Sequence, residues 1–296
     1  MNVAHKKVYI IAEAGVNHNG SLELAKQLID AAVNAGADAV KFQSFIAEDE
    51  ISLYAAKAQY QMRNTENNES QLDMVRKLEL SWNEQEELNH YCKEKNIDFL
   101  STPFEMKSLL FLARKLNLEY IKFSSGDITT APLLLEAARL QKKVILSTGM
   151  ATLGEIEDAL GVLAFGYCGT AGVPSIKGFR EAYTSFQGQE HLRQKVTLLH
   201  CTTEYPAPYK EVNLNALLTM RQAFQLPVGL SDHTKGIAIS IAAAALGAEF
   251  VEKHFTLSRS MSGPDHQASL EPKELQDMVN GIRQVEFARG CGIKMQ

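Results

Sequence analysis

Residues 246–255 read LGAEFVEKHF, and residues 35–43 read AGADAVKFQ. Both are the same kind of joint. A glycine stands where a helix should end, and a short apolar run follows, interrupted by charged residues. Before the earlier joint, SLELAKQLIDAAVNAG (21–36) sets Leu22, Ala25, Leu28, Ile29, Ala32 and Val33 on one stripe, which predicts an amphipathic helix. Working outward, the apolar runs VYIIAE (8–13), DAVKFQ (38–43), DFLSTP (98–103), YIKFSS (120–125), KVILST (143–148), VTLLHC (196–201), PVGLSD (227–232) and FVEKHF (250–255) alternate with helix-period segments. Near-continuous apolar strands separated by helices imply a parallel sheet. Eight such units within 296 residues fit an α/β chain folded as a (β/α)8 TIM barrel. A doubly wound sheet would carry a GxGxxG turn after its first strand, and EAGVNHNG (13–20) lacks that spacing.

Two stretches exceed ordinary connections: residues 44–82 after strand two and residues 161–195 after strand five. Loops of that length are functional lids or partner surfaces, and the second equally reads as a peripheral helical insert. No Pro/Gly/Ser linker divides the chain, so residues 1–296 are expected to form one barrel domain. With 45% hydrophobic and 22% charged residues, the chain can bury a full core. A formal net charge of -5 argues against a nucleic-acid or anionic-membrane surface. The N-terminus is too short in apolar residues for a signal peptide, and the longest apolar run, Ile237 to Ala248, reads as a buried helix rather than a span. Cys92, Cys168, Cys201 and Cys291 show no paired spacing, which points to free thiols in a cytoplasmic protein.

Barrels of this kind place their sites at the C-terminal ends of the strands. Every predicted strand ends in polar groups: Glu13; Lys41 and Gln43; Ser101 and Thr102; Lys122, Ser124 and Ser125; Ser147 and Thr148; His200 and Thr202; Ser231, Asp232 and His233; Glu252 and His254. Residues i and i+2 share a face of a strand, so Ser231 points with His233, and Glu252 with His254. Neighbouring strands lie about 4.8 Å apart, close enough for His233 and His254 to hold one metal ion. Two imidazoles without a nearby cysteine leave an oxygen-filled coordination sphere. That suits Mn²⁺, with Mg²⁺ or Co²⁺ as alternatives, better than structural zinc. Asp232 is expected to orient an imidazole from behind, while His200 reads equally as a core group, a supporting group or a contact. A lone lysine in a strand usually snorkels to the surface. Lys41 and Lys122 instead accompany Ser101, Thr102, Ser125 and Ser147, a set suited to gripping an anion. Metal, anion grip and carboxylates together suggest carbon–carbon bond formation with a phosphorylated small acid.

Taken in order, IAEAGVNHNG, VKFQ, FLSTPF, IKFSSGD, ILSTGMATLGEI, LLHCTTEYPAP, GLSDHT, EKHF and GPDH resemble the bacterial sialic acid synthases from residue 8 to about residue 290. That NeuB-like family includes N-acetylneuraminate synthase and its legionaminate and pseudaminate relatives. The resemblance implies condensation of phosphoenolpyruvate with an N-acylmannosamine-type sugar (N-acetylmannosamine or 2,4-diacetamido-2,4,6-trideoxymannose) and water, releasing phosphate. It makes His233 and His254 the metal ligands. It assigns Lys41, Lys122, Ser125 and Ser147 to phosphoenolpyruvate, with Ser231 and Tyr205 nearby. Glu13, Gln43 and Asp265 would meet the open-chain sugar, and Glu252 would handle the proton of the attacking water. Thr203 stands where some relatives have asparagine. The family usually continues into a C-terminal antifreeze-like domain that completes a swapped homodimer, and the sequence is expected to lack it. The alternatives are a barrel that binds phosphoenolpyruvate or sugar without turnover, a Schiff-base aldolase using Lys122 or Lys41, and a synthase acting on an aldose phosphate. The 161–195 stretch is a candidate source of substitute sugar contacts.

Overall fold

The computed structural model describes residues 7–57, 61–62, 69–169 and 172–290. Its strands are β1 (Tyr9–Gly15), β2 (Ala39–Ser44), β3 (Asp98–Pro103), β4 (Tyr120–Phe123), β5 (Lys143–Ser147), β6 (Val196–Cys201), β7 (Val228–Asp232) and β8 (Phe250–His254). They form one eight-stranded parallel sheet in the order β3-β2-β1-β8-β7-β6-β5-β4. Pairing of β1 with β8 curls the sheet round, and β3 and β4 lie against each other to complete a TIM barrel. The helix Leu22–Ala35 starts where Ser21 accepts a bond from the Leu24 amide and stops at Gly36, whose φ of 81° a residue with a Cβ adopts at a cost. Gly247 ends the helix before β8 in the same way, at φ 88°.

Side-chain parity sorts the barrel into layers. Inward-facing Ile11, Ala39, Leu100, Ile145, Leu199 and Phe250 form one buried cluster, with Tyr9 and Tyr120 packed on it. Tyr9 and Phe250 rings, 5.2 Å apart, close the N-terminal end of the barrel. Outward-facing residues such as Ile10, Val40, Phe42, Val144, Leu198 and Val251 join a second, larger cluster with the helices. The inner layers are apolar low in the barrel and polar two residues further along each strand. That gradient places the site at the C-terminal end.

The two long stretches behave differently. The described residues of 44–82 carry the short helices Ala47–Glu50 and Gln71–Arg76, and several of them line the cavity at the C-terminal mouth. The described part of residues 161–195 is mostly helical, as the reading of a peripheral helical insert expects. GVLAFGY continues the helix Leu153–Tyr167, and two further helices, Ile176–Thr184 and Phe186–Lys195, pack beside it. Gly166 lies inside this helix, where a Cβ would come within 2.5 Å of the Ala138 Cβ, so only glycine allows the close approach. None of this segment's described residues lines the central cavity, so the idea that it supplies sugar contacts is not upheld. Among the described residues no helix is long and apolar enough to cross a membrane. Cys92, Cys168 and Cys201 are free thiols, and Cys291 lies outside the described residues.

Candidate active site

The eight strand tips converge on one cavity of about 290 Å³. Glu13, Lys41, Gln43, Thr102, Lys122, Ser125, Ser147, Thr203, Tyr205, Ser231, His233, Glu252, His254 and Asp265 all line it. The structure therefore brings every one of these sequence-selected side chains to a single place. Most of them belong to the inward parity of their strands, directly above the apolar layer.

The floor is an ionic network. Lys41 Nζ lies 2.9 Å from Glu13 and 3.5 Å from Glu252, and it donates to Thr102 Oγ1 at 3.0 Å. Lys122 Nζ donates to Ser147 Oγ at 2.7 Å and lies 3.7 Å from Glu252 Oε1. Ser231 Oγ donates to the same Glu252 oxygen at 2.8 Å. Burial raises Glu13 to about 7 against the opposing pull of Lys41. Glu252 is buried too, but Lys122 and Lys41 outweigh its desolvation and hold it near 2. The two carboxylates thus differ in role: Glu252 carries the charge and Glu13 is poised to hold the proton. Lys122 is lowered, chiefly by burial, whereas the paired carboxylates outweigh burial at Lys41 and raise it.

Opposite this network stand the histidines. His233 Nδ1 donates to the Thr202 carbonyl at 2.7 Å, which leaves Nε2 carrying the lone pair. His254 Nδ1 is buried with no hydrogen-bond partner, and so is Glu252 Oε2. The two imidazole centroids are 5.7 Å apart, and Tyr205 packs against both rings, 4.2 Å from His233 and 5.6 Å from His254. Desolvation lowers His233 to about 4 and His254 well below its ordinary range, so both rings are neutral at pH 7. Among the described residues no three His, Cys, Asp or Glu side chains converge as a complete ligand set. Neutral imidazoles with a lone pair and an unpartnered buried nitrogen nevertheless fit a divalent ion whose other ligands are substrate and water.

Some expectations need correction. Asp232 does not orient an imidazole. It has the outward parity of β7, where Oδ1 accepts from the Thr234 amide and hydroxyl, Oδ2 accepts from Ser240, and Lys253 lies 3.1 Å away. Ser101 likewise faces the helix layer, 2.6 Å from Ser44, and takes no part in the anion grip. His200 is turned outward and bonds the Val212 carbonyl, bracing the loop after β6. Glu13 stands in register with His254, and Lys41 links it to Glu252. Asp265 reaches the cavity from the loop after β8. Asn17 and Asn19 hold that loop through the Phe255 and Ser262 carbonyls, and His266 bonds Asn19. Sequence reasoning missed the outer wall: Phe45, Glu50, Gln61, Gln71, Met74 and Phe104 also line the cavity. Most of these sit on the 44–82 excursion, where no periodic pattern reveals a facing.

Residues 28–294 match the NeuB family. The chain belongs to that family. It is 54% identical, over 98% of its length and 79% of the relative's, to the N,N'-diacetyllegionaminic acid synthase of Campylobacter jejuni. The synthase of the same name from Legionella pneumophila is 41% identical over 97% of this chain and 74% of its own. Among solved structures, the N-acetylneuraminic acid (sialic acid) synthetase of Leptospira borgpetersenii superposes with a TM-score of 0.78 at 34% identity, covering 98% of this chain and 87% of that one. This NeuB-family barrel thus shares its fold with sialic acid synthases along nearly its whole length.

Proposed function

We propose that this chain is a nonulosonic acid synthase that condenses phosphoenolpyruvate with an N-acylmannosamine-type sugar and water, releasing phosphate. The observation that carries the reading is the two-sided cavity, with buried Lys41 and Lys122 among hydroxyls on one side and His233 and His254 on the other, in a chain 54% identical to a legionaminic acid synthase. The named relatives are synthases, and nothing in the comparisons favours a barrel that binds without turnover.

Lys41 and Lys122 neutralise the phosphate and carboxylate of phosphoenolpyruvate, and Ser147, Ser125 and Thr102 add hydroxyl contacts at fixed positions. The Gly149 amide donates to Ser125 Oγ at 2.9 Å, so that hydroxyl is held in place before substrate arrives. Glu13, Gln43 and Asp265 face the acceptor. Glu13, already protonated for part of the time at neutral pH, supplies a proton where the aldehyde oxygen becomes a hydroxyl. Glu252 Oε1 accepts from Ser231, whereas Oε2 accepts no hydrogen bond, lies 3.5 Å from Lys41 Nζ, and is assigned the proton of the water that adds at C2. His233 and His254 would hold a divalent ion, Mn²⁺ ahead of Mg²⁺ or Co²⁺, and when bound it would polarise the sugar carbonyl as a Lewis acid. Tyr205 covers both rings and excludes bulk water from that side. The reaction is assigned to the cytoplasm, with the enzyme a homodimer acting on small-molecule substrates and on neither nucleic acid nor membrane.

Phosphate release measured with phosphoenolpyruvate, Mn²⁺ and each acceptor in turn tests the assignment, with the product mass read alongside. A mass equal to acceptor plus pyruvate is expected. A borohydride-trapped lysine adduct in place of metal-dependent release would refute it.

A further inference from the structure

Of Thr102, Ser125 and Ser147, only Ser125 stands off the strands, on the short turn Ser125–Asp127 after β4. Ser124 Oγ donates to Asp127 Oδ2 at 2.6 Å and the Asp127 amide donates back to the Ser124 carbonyl, which ties down the backbone of that turn. The Ser125 hydroxyl itself is met from two other segments. The Gly149 amide donates to its oxygen at 2.9 Å, and Cys201 Sγ lies 2.9 Å from the same atom. Cys201 ends β6 two residues beyond inward-facing Leu199, and it lines the cavity. The three segments close tightly. A Cβ on Gly149 would come within 2.8 Å of the Cys201 sulfur and 2.9 Å of the Ser125 oxygen, so glycine is needed for them to meet.

A serine hydroxyl has one hydrogen to give and two lone pairs with which to receive. If Ser125 spent that hydrogen on sulfur, a weak acceptor, none would remain for the anion. If the thiol donates instead, the Ser125 oxygen receives both Gly149 and Cys201, and its own hydrogen is free to face the cavity. We infer that Cys201 is a positioning residue: with phosphoenolpyruvate bound, its S–H donates to Ser125 Oγ and, together with the Gly149 amide, turns the Ser125 hydrogen toward the anion. The sulfur makes no bond to substrate in this arrangement and acts only through Ser125. The thiol has the proton to give. Burial raises it above its ordinary range, outweighing Ser125, Lys122 and the Gly149 amide, which pull the other way, so it stays neutral at pH 7. A neutral donor at this point also adds no negative charge beside the anion.

This inference rests on the synthase reading only in taking the anion to be phosphoenolpyruvate. Calorimetry in buffer containing Mn²⁺, without sugar, would measure phosphoenolpyruvate binding to the wild type, Cys201→Ala, Cys201→Ser, Ser125→Ala and the double variant Cys201→Ala/Ser125→Ala. Losing one neutral hydrogen bond should weaken binding roughly fivefold in Cys201→Ala, while KM for the sugar stays within about twofold. Cys201→Ser keeps a donor and should recover most of the loss. The decisive comparison is the cycle: once Ser125 is alanine, removing the thiol should change the affinity by less than about twofold. A sulfur that only fills space would cost the same in both backgrounds. Losses that multiply, Cys201→Ser as weak as Cys201→Ala, or Cys201→Ala as tight as the wild type would overturn the proposal. Infrared difference spectra of the wild type against Cys201→Ala, with phosphoenolpyruvate bound, give a second reading. An S–H stretch shifted below that of a free thiol supports the donor assignment, and a band at the free-thiol position overturns it. A wild type that binds no phosphoenolpyruvate would sink the synthase reading and this inference together, whereas binding without turnover would count against the synthase reading alone and leave the cycle to decide the role of Cys201.

Discussion

Lys253→Met tests whether the outward face of β7 and β8 sets the pose of the inward face. Lys253 and Asp232 are register partners on adjacent strands, both essentially inaccessible to solvent, with Nζ 3.1 Å from Oδ2. Lys253 Nζ also donates to the Thr234 carbonyl at 2.5 Å. At an effective dielectric of about 20, two charges at this separation attract by about 5 kcal/mol. Removing one partner of a buried pair costs about 3–5 kcal/mol, because the other charge is left without compensation. Asp232 keeps its bonds from Thr234 and Ser240, which argues for the lower end, about 3 kcal/mol. For a chain of this size that is a fall of roughly 5 °C in Tm. Thermal unfolding followed by circular dichroism at pH 7 would measure it, alongside the double variant Lys253→Met/Asp232→Asn. The double variant removes both charges and should recover more than half of the loss. A single variant melting within about 2 °C of the wild type, or a double variant no better than the single, would refute the reasoning.

Lys122→Ala removes a cation that faces Ser147 and Glu252. KM for phosphoenolpyruvate should rise by roughly a hundredfold with the sugar KM little changed, and equal losses in a two-substrate analysis would count against the anion grip. His233→Ala and His254→Ala should each lose bound Mn²⁺, read by elemental analysis after dialysis, while the fold persists by circular dichroism; retained metal would remove both from the ligand set. Asp265 offers a pH signature. Burial lifts its carboxyl to about 6, above an unfolded value of about 3.9, so the folded state binds the proton more tightly than the unfolded chain does. Stability is therefore given up as the pH rises from about 4 through about 6. Asp265→Asn should stabilise the fold at pH 7.5, by up to about 3 kcal/mol, and change little at pH 4. Urea unfolding at both pH values checks the sign, and equal gains at the two would show that the carboxyl's burial is not the cause.

How much of this was legible in the sequence follows from strand parity. The predicted strands fall within two residues of those observed, because buried β-strands must be apolar and the helices between them must keep a 3.6-residue stripe. The site was legible for the same reason. Glu13, Lys41, Lys122, Glu252 and His254 are polar residues in runs that otherwise read as core, and a charge there has few places to go except the barrel mouth. Collecting strand tips without parity produced the errors. Asp232 lies between Ser231 and His233 and so must face the other way, where its charge is met by Lys253, itself flanked by Glu252 and His254. Ser101, next to Thr102, turns outward by the same rule. The outer wall was beyond this kind of reading, since Glu50 and Gln71 sit on short helices whose placement depends on tertiary contacts such as Phe45 against Phe104, 6.3 Å apart. The polar residues of β7 and β8 therefore form two systems, back to back. Ser231, His233, Glu252 and His254 face the cavity, while the Asp232–Lys253 pair behind them ties the strands to each other and, through Ser240, to the helix Ala238–Ala245. A binding site assembled on rigid strands needs such a brace, because an imidazole displaced by about 1 Å would forfeit much of its catalytic value.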